Sequence, residues 1–188
     1  MDKDLKKYIL KLENFLSKKF CDQTIDQLKK AEWKKHDFYN IRTNKSKPRS
    51  GYRELDITND KVPNNKEIMK RLHKALEHYF TELNFLWFSG WNGYSKVRYN
   101  KYSKGQKMAI HCDHIHNLFP SREGGVPKLS CLGALNDNYT GGDLVMFTDT
   151  KIKLKQGELL IFPSSFLYPH EVKPVKKGKR YTYISWVW

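Results

Sequence analysis

The sequence predicts a mainly β chain with N-terminal helices, an α+β arrangement. Apolar residues recur at helical spacing only in the first 84 residues, whereas short β-type runs separated by turn signals fill the remainder. Helices that precede many short strands favour a sandwich or barrel with the helices packed on one outer face. At 188 residues, we expect one domain over 1–188, with helical support over about 1–84 and a β core over about 85–188.

Two helices are expected. Residues 18–31 place Cys21, Ile25 and Leu28 on one face. A second helix over about 64–81 begins at Asn64 or Asn65 as its cap. Its apolar stripe consists of Ile68, Leu72, Leu76 and Tyr79.

Two N-terminal segments are less regular. Residues 5–16 fit a helix and a strand equally well. Residues 43–52 have the composition of a loop, and the wider segment 43–62 carries basic side chains that could fold over a substrate or simply face solvent. These are Lys45, Lys47, Arg49 and Arg53.

The strand runs of the second half lie between Gly- and Pro-containing turns such as Gly141-Gly142 and Pro163-Ser164. In chain order the runs are WFSGWNGYSKVRYNKY, KMAIHCDH, KLSCLGALND, DLVMFT, KIKLK, GELLIFP, HEVKPV and RYTYISWVW.

Composition leaves two explanations for the net charge of +15. A basic chain can bind nucleic acid, but lysines scattered along the sequence fit a compositional bias better than a specific reader of bases. Three cysteines do not form a disulfide framework and suit a reducing compartment. Without a secretory signal or a long apolar stretch, the expected location is cytoplasmic, with no membrane association.

The spacing His111-Cys112-Asp113 is the strongest chemical signal in the chain. On an extended segment, residues i and i+2 project to the same face, so His111 and Asp113 can share one ion. His170 opens a later strand run and is the expected third ligand. Two imidazoles and a carboxylate suit non-haem Fe(II), although a catalytic zinc site can use the same set. His114 and His116 are alternative ligands, and we favour them as loop residues.

Arg180 follows His170 by ten residues, and an antiparallel hairpin would bring it back beside the metal. Its apolar and aromatic neighbours predict a partly buried strand, in which a guanidinium needs an anionic partner. The 5-carboxylate of 2-oxoglutarate would be such a partner.

In order along about residues 97–186, the motifs VRYNKYSKGQKMAIHCD, LSCLGALND, GGDLVMF, KQGELLIFPS and HEVKPVKKGKRYTYISW resemble the prolyl 4-hydroxylase-like branch of the 2-oxoglutarate/Fe(II)-dependent dioxygenases. The resemblance implies a double-stranded β-helix (jelly-roll) core. It also implies Fe(II), with 2-oxoglutarate and O₂ as cosubstrates and ascorbate as a supporting reductant.

The same resemblance implies residue roles. His111, Asp113 and His170 would ligate iron, Arg180 would hold the 5-carboxylate, and Tyr102 would assist it unless it is only a core residue. For the substrate pocket the candidates are Trp186, with core packing as the alternative, and Arg53 in the basic segment. Gly133, Ala134 and Met108 depart from residues common in the family, which leaves the shape of the pocket open.

The expected function is hydroxylation of a C–H bond on a prolyl residue of a protein or peptide by a monomer. A nucleic-acid demethylase of the same fold would suit the charge, but the ten-residue interval and the GGDL segment favour the prolyl hydroxylase branch. A non-catalytic binding module conflicts with the complete ligand set. A zinc hydrolase would give Arg180 no role. It would also need a general base, and the sequence has no obvious glutamate beside His111, Asp113 and His170 to act as one.

Overall fold

The computed structural model describes residues 4–40, 45–47, 53–84, 90–114 and 126–188. Two α-helices occur in these ranges, α1 (Lys18–Leu28) and α2 (Asn65–Leu83), after a 3₁₀ turn at Leu5–Tyr8. The strands are β1 (Leu10–Leu12), β2 (Lys34–Lys35), β3 (Phe38–Asn40), β4 (Lys45–Lys47), β5 (Asp56–Thr58), β6 (Arg98–Tyr102), β7 (Met108–His111), β8 (Leu129–Ala134), β9 (Thr140–Gly141), β10 (Leu144–Met146), β11 (Thr150–Ile152), β12 (Leu159–Pro163), β13 (His170–Val172), β14 (Val175–Lys177) and β15 (Arg180–Val187). The mainly β prediction is confirmed.

Both helices form where the apolar spacing predicted them. Helix α1 begins after Ser17, whose Oγ accepts a hydrogen bond from the amide of Phe20 at 3.2 Å. Helix α2 buries the predicted stripe and ends at Asn84 in the left-handed region. Asn64 does not cap it with its side chain; its Nδ2 donates to Oγ1 of Thr24 at 2.7 Å and so ties the two helices together. No described helix has the length and apolarity to cross a bilayer.

The strands form two larger antiparallel sheets and two short ribbons. The large sheet has seven strands in the order β1-β12-β8-β15-β6-β5-β2. A smaller sheet has the order β11-β10-β13-β7. The ribbons pair β14 with β9 and β3 with β4.

Three strands of the large sheet come from the N-terminal third, which the sequence had assigned to helical support. Leu10–Leu12 pairs with β12, so the ambiguous segment 5–16 contains a 3₁₀ turn followed by a strand. Asp56–Thr58 pairs with β6 inside the segment 43–62 expected as a loop, because its Ile57 and Thr58 are buried. Residues 41–44 and 48–52, including Arg49, lie outside the described residues.

The large sheet separates two apolar cores. Its outer face packs against both helices, with Tyr183 and Cys131 of the sheet meeting Leu72 and Leu76 of α2 in one cluster. Its inner face meets the smaller sheet, where Leu132 and Ile184 share a cluster with Met146 and Val172. The polar residues singled out by the sequence lie between the two sheets, so the helices support the site from behind.

Gly133 shows how tightly the outer face is packed. A Cβ placed on Gly133 would overlap the ring of Tyr183, which is fully buried on the neighbouring strand. The glycine therefore makes room for an aromatic ring in the outer core, and its position does not open the pocket between the sheets.

We predict that Gly133→Ala destabilises the fold by about 1–3 kcal/mol, because the buried Tyr183 ring has to move. Urea unfolding followed by circular dichroism measures this loss. Gly93→Ala is the matched control, since its Cβ would meet only the ring of Trp188 at 3.3 Å. Equal effects of the two substitutions would contradict the packing argument.

Candidate metal centre and pocket

Three side chains predicted as metal ligands converge between the sheets. His111 ends β7, His170 begins β13, and the two residues are opposite each other in register. Asp113 follows β7 by two residues, as the i, i+2 spacing required. One donor atom from each lies within 4.8 Å of the others, the single such cluster among the described residues.

Backbone carbonyls orient both imidazoles. Nδ1 of His111 lies 2.8 Å from the carbonyl oxygen of Ala109, and Nδ1 of His170 lies 3.1 Å from that of Tyr168. A carbonyl oxygen only accepts, so each Nδ1 carries a proton and Nε2 is the ring nitrogen that faces the cluster. Burial lowers the pKa of His170, which keeps this imidazole neutral.

Asp113 supplies the charge of the cluster. Its carboxylate oxygens lie 3.5 Å from Nε2 of His111 and 3.9 Å from Nε2 of His170. Burial alone would raise the pKa of this carboxyl, but the two imidazoles and a hydrogen bond from Ser130 Oγ at 2.6 Å hold it well below its usual range. Asp113 is therefore ionised, and two imidazole nitrogens with one carboxylate form a donor set that fits Fe(II).

Arg180 and Tyr102 lie opposite each other on neighbouring strands at another part of the same pocket. The guanidinium carbon of Arg180 is 4.9 Å from the centroid of the Tyr102 ring. Arg180 is 2% exposed, and its Nε and Nη1 have no hydrogen-bond partner. A buried cation with free donors is suited to bind an anion that enters the pocket.

The pocket is otherwise mostly apolar. Met108, which differs from the residue common in the family at this position, is part of the pocket wall. The remaining lining residues are Leu55, Arg98, Asn100, Leu132, Leu144, Phe162, Val172 and Ile184. A wall of this kind excludes water and leaves a few polar groups to orient what binds.

Not every residue named from the sequence reaches this pocket. Trp186 is buried in the inner core and is not part of the lining, in line with the packing alternative. Arg53 is exposed on the surface against Gly105 and also does not line the pocket. His114 is exposed outside the cluster, with its ring 6.5 Å from that of Phe166, and His116 lies outside the described residues.

Sequence reasoning missed three polar residues of the site. Arg98 and Asn100 precede Tyr102 at intervals of two on β6, so strand alternation could have placed all three on one face. No pattern in the sequence pointed to Ser130. Its importance depends on a contact with Asp113, seventeen residues earlier and on another element.

Comparison with known proteins agrees with this geometry. The family model described as the 2OG-Fe(II) oxygenase superfamily matches residues 97–188. A PKHD-type hydroxylase from Stenotrophomonas maltophilia (strain R551-3) is 33% identical over 99 residues, covering 50% of this chain and 43% of that protein. The matched stretch thus spans less than half the length of this relative.

Two solved structures share the architecture over nearly the whole chain. The 2OG complex of the viral collagen prolyl hydroxylase vCPH from Paramecium Bursaria Chlorella virus-1 matches with a TM-score of 0.67 at 20% identity, covering 96% of this chain and 94% of that chain. A prolyl hydroxylase from Trichoplax adhaerens, in complex with a hypoxia inducible factor oxygen degradation domain peptide fragment, matches with a TM-score of 0.69 at 21% identity, covering 96% and 83%.

At these identities the structural likeness establishes the fold. The two facing sheets form a double-stranded β-helix, and the predicted jelly-roll core with helices on one face is confirmed. Residues 97–188, just under half of the chain, match the family model of the 2OG-Fe(II) oxygenase superfamily. In sequence the chain is similar to PKHD-type hydroxylases, and in fold it is similar to prolyl hydroxylases.

We predict that Ser130→Ala weakens metal binding by about 10–100-fold, because it removes the hydrogen bond that orients and stabilises the Asp113 carboxylate. The loss should grow as the pH falls, since the substitution raises the pKa of Asp113 and protons compete with the metal. Titration with Fe(II) under argon at several pH values measures both effects.

Ser164→Ala is the matched control, since Ser164 Oγ contacts Ser130 at 2.7 Å and no hydrogen bond joins it to Asp113. Unchanged affinity in Ser130→Ala at every pH would show that this hydrogen bond does not support the metal site.

Proposed function

We propose that this chain is an Fe(II)- and 2-oxoglutarate-dependent dioxygenase that hydroxylates a C–H bond on a prolyl residue of a protein or peptide. In the same reaction 2-oxoglutarate is decarboxylated to succinate and CO₂. The observation that carries the proposal is one mostly apolar pocket. It contains both three side chains placed to hold a metal ion and the buried guanidinium of Arg180, whose Nε and Nη1 have no hydrogen-bond partner.

His111, Asp113 and His170 would hold the iron. When bound, Fe(II) supplies the activation of O₂ that the side chains themselves cannot perform. Three protein ligands leave coordination positions open for a cosubstrate, whereas structural zinc sites usually have four protein ligands. The Asp113 carboxylate occupies the position that a halide would need, which supports hydroxylation over halogenation.

Arg180 would bind the 5-carboxylate of 2-oxoglutarate, with Tyr102 beside it. Burial deprives the guanidinium of water, so an ionic contact in this pocket is stronger than the same contact at the surface. Burial raises the pKa of the Tyr102 hydroxyl, which keeps this group protonated and able to donate to the same carboxylate.

The similarity to prolyl hydroxylases supports a prolyl residue as the target. The net charge of +15 is the observation that favours nucleic acid as an alternative substrate. We prefer the peptide, because the ten-residue interval from His170 to Arg180 matches the prolyl hydroxylase motif. The full set of ligands argues against a binding module without catalysis.

We also propose that the enzyme is a monomer in the cytoplasm and that ascorbate supports its turnover. The three cysteines form no disulfide, which suits a reducing compartment. Among the described residues, the only exposed large hydrophobic side chains are Ile110, Phe166 and Leu167, a small number for a stable dimer interface.

The proposed activity is tested by anaerobic titration of the metal-free protein with Fe(II) and 2-oxoglutarate. We expect a weak visible charge-transfer band from the chelate, followed by succinate release when O₂ and prolyl peptides are supplied. No band, together with tight Zn(II) binding, would reject the oxygenase proposal. Turnover of methylated oligonucleotides in place of peptides would favour the nucleic-acid alternative.

We predict that His111→Ala and Asp113→Ala abolish Fe(II) binding and turnover, because each variant leaves two ligands. His114→Ala is the control, since this histidine belongs to the same HCDH segment but lies outside the cluster. Equilibrium dialysis with Fe(II) measures the effect. Wild-type affinity in Asp113→Ala would overturn the ligand assignment.

We predict that Arg180→Gln raises the Kd for 2-oxoglutarate by about 10–100-fold, the range expected for losing a charged hydrogen bond. Iron affinity should not change. Arg53→Gln is the control, because it removes the same charge from the surface. The anaerobic titration gives both constants, and normal cosubstrate affinity in Arg180→Gln would refute the assignment.

A further inference from the structure

The pocket contains a second arginine that the proposed chemistry does not yet use. Arg98 lines the same pocket as Arg180 and the three metal-binding side chains. It is partly buried, and its Nε is buried without a hydrogen-bond partner. One dicarboxylate cosubstrate anchored by Arg180 would leave this second guanidinium unexplained.

The strand register places Arg98 towards the metal end of the pocket. On β15, Arg180 is opposite Tyr102, whereas Ile184 is opposite Arg98. Two residues further along β15, Trp186 is opposite Ser130, the residue that donates to Asp113. Arg98 therefore lies about 13 Å along the strand from the level of Arg180 and next to the level of Asp113.

An aromatic ring holds Arg98 in this position. Its guanidinium carbon is 4.6 Å from the ring centroid of Trp186, a cation–π contact that orients the planar group. Trp186 thus acts on the pocket through Arg98 even though it does not line the cavity.

Burial and a nearby carboxylate act on Arg98 in opposite directions. Burial lowers the pKa of Arg98, and the neighbouring Asp113 opposes that effect only in part. Asp113 already lies between two imidazoles and accepts from Ser130. The Nε of Arg98 therefore keeps a donor available in the pocket that also contains Asp113.

We propose that Arg98 binds the metal-chelating 1-carboxylate of 2-oxoglutarate, so that each end of the cosubstrate meets its own guanidinium. The proposal rests on the proposed function. Two carboxylates, that of Asp113 and that of the cosubstrate, would ligate one ion and repel each other. A cation near both offsets this repulsion in a site that water does not screen.

Two ligands separate the roles of the two arginines. 2-Oxoglutarate has both carboxylates, whereas 2-oxobutyrate keeps the chelating keto-carboxylate end and lacks the 5-carboxylate. Both are titrated anaerobically into the Fe(II)-loaded wild-type protein, Arg98→Gln and Arg180→Gln, with the charge-transfer band as the readout and no turnover required.

Arg98→Gln should weaken binding of both keto acids by the same factor, about tenfold or more for a lost charged contact. Arg180→Gln should weaken only 2-oxoglutarate. Arg98→Lys keeps the charge and should recover part of the affinity for both ligands.

Three results would overturn the proposal. Unchanged affinity of Arg98→Gln for both keto acids would show that Arg98 does not touch the cosubstrate. A loss confined to 2-oxoglutarate would place Arg98 at the 5-carboxylate. A parallel loss of Fe(II) affinity without any keto acid would make Arg98 a support of Asp113. The absence of a band in the wild-type protein, by contrast, would overturn the proposed function itself.

Discussion

The buried carboxylate of Asp113 must be compensated by its neighbours, because the space between the two sheets provides little water to solvate it. His111, His170 and Ser130 contribute this compensation from three different strands. A bound divalent cation would complete it. The arrangement therefore depends on both sheets at once, and neither sheet alone would hold the charge.

The large sheet separates the residues that stabilise the fold from those that face the pocket. Its outer face is an apolar core shared with α1 and α2, in which Gly133 admits the ring of Tyr183. Its inner face presents Arg98, Tyr102 and Arg180 to the smaller sheet. Because side chains alternate along a strand, one sheet can serve both purposes without conflict.

The positively charged side chains are also divided, between the protein surface and the pocket. Most of the lysines whose burial is described are exposed, where water and salt screen them. Arg98 and Arg180 lie in the pocket, where they are removed from water and an anionic partner would stabilise their charge. Two arginines of this kind carry more information about the ligand than the net charge of the whole protein.

The sequence alone determined the fold class, both helices and the meeting of His111, Asp113, His170 and Arg180 in one region. These features follow from local periodicity and from motif spacing, which the chain order preserves. The sequence did not predict that Leu10–Leu12 and Asp56–Thr58 join the large sheet, because such short segments become strands only when a partner strand pairs with them.

Tertiary structure alone decided which polar residues complete the pocket. Arg98 and Ser130 lie on different strands, and their importance arises from neighbours that are distant in sequence, Trp186 and Asp113. The tertiary structure also left Arg53 on the surface and placed Trp186 in the inner core, against Arg98. Spacing within a strand is a local property, whereas contact across strands depends on how the sheets pair and face each other.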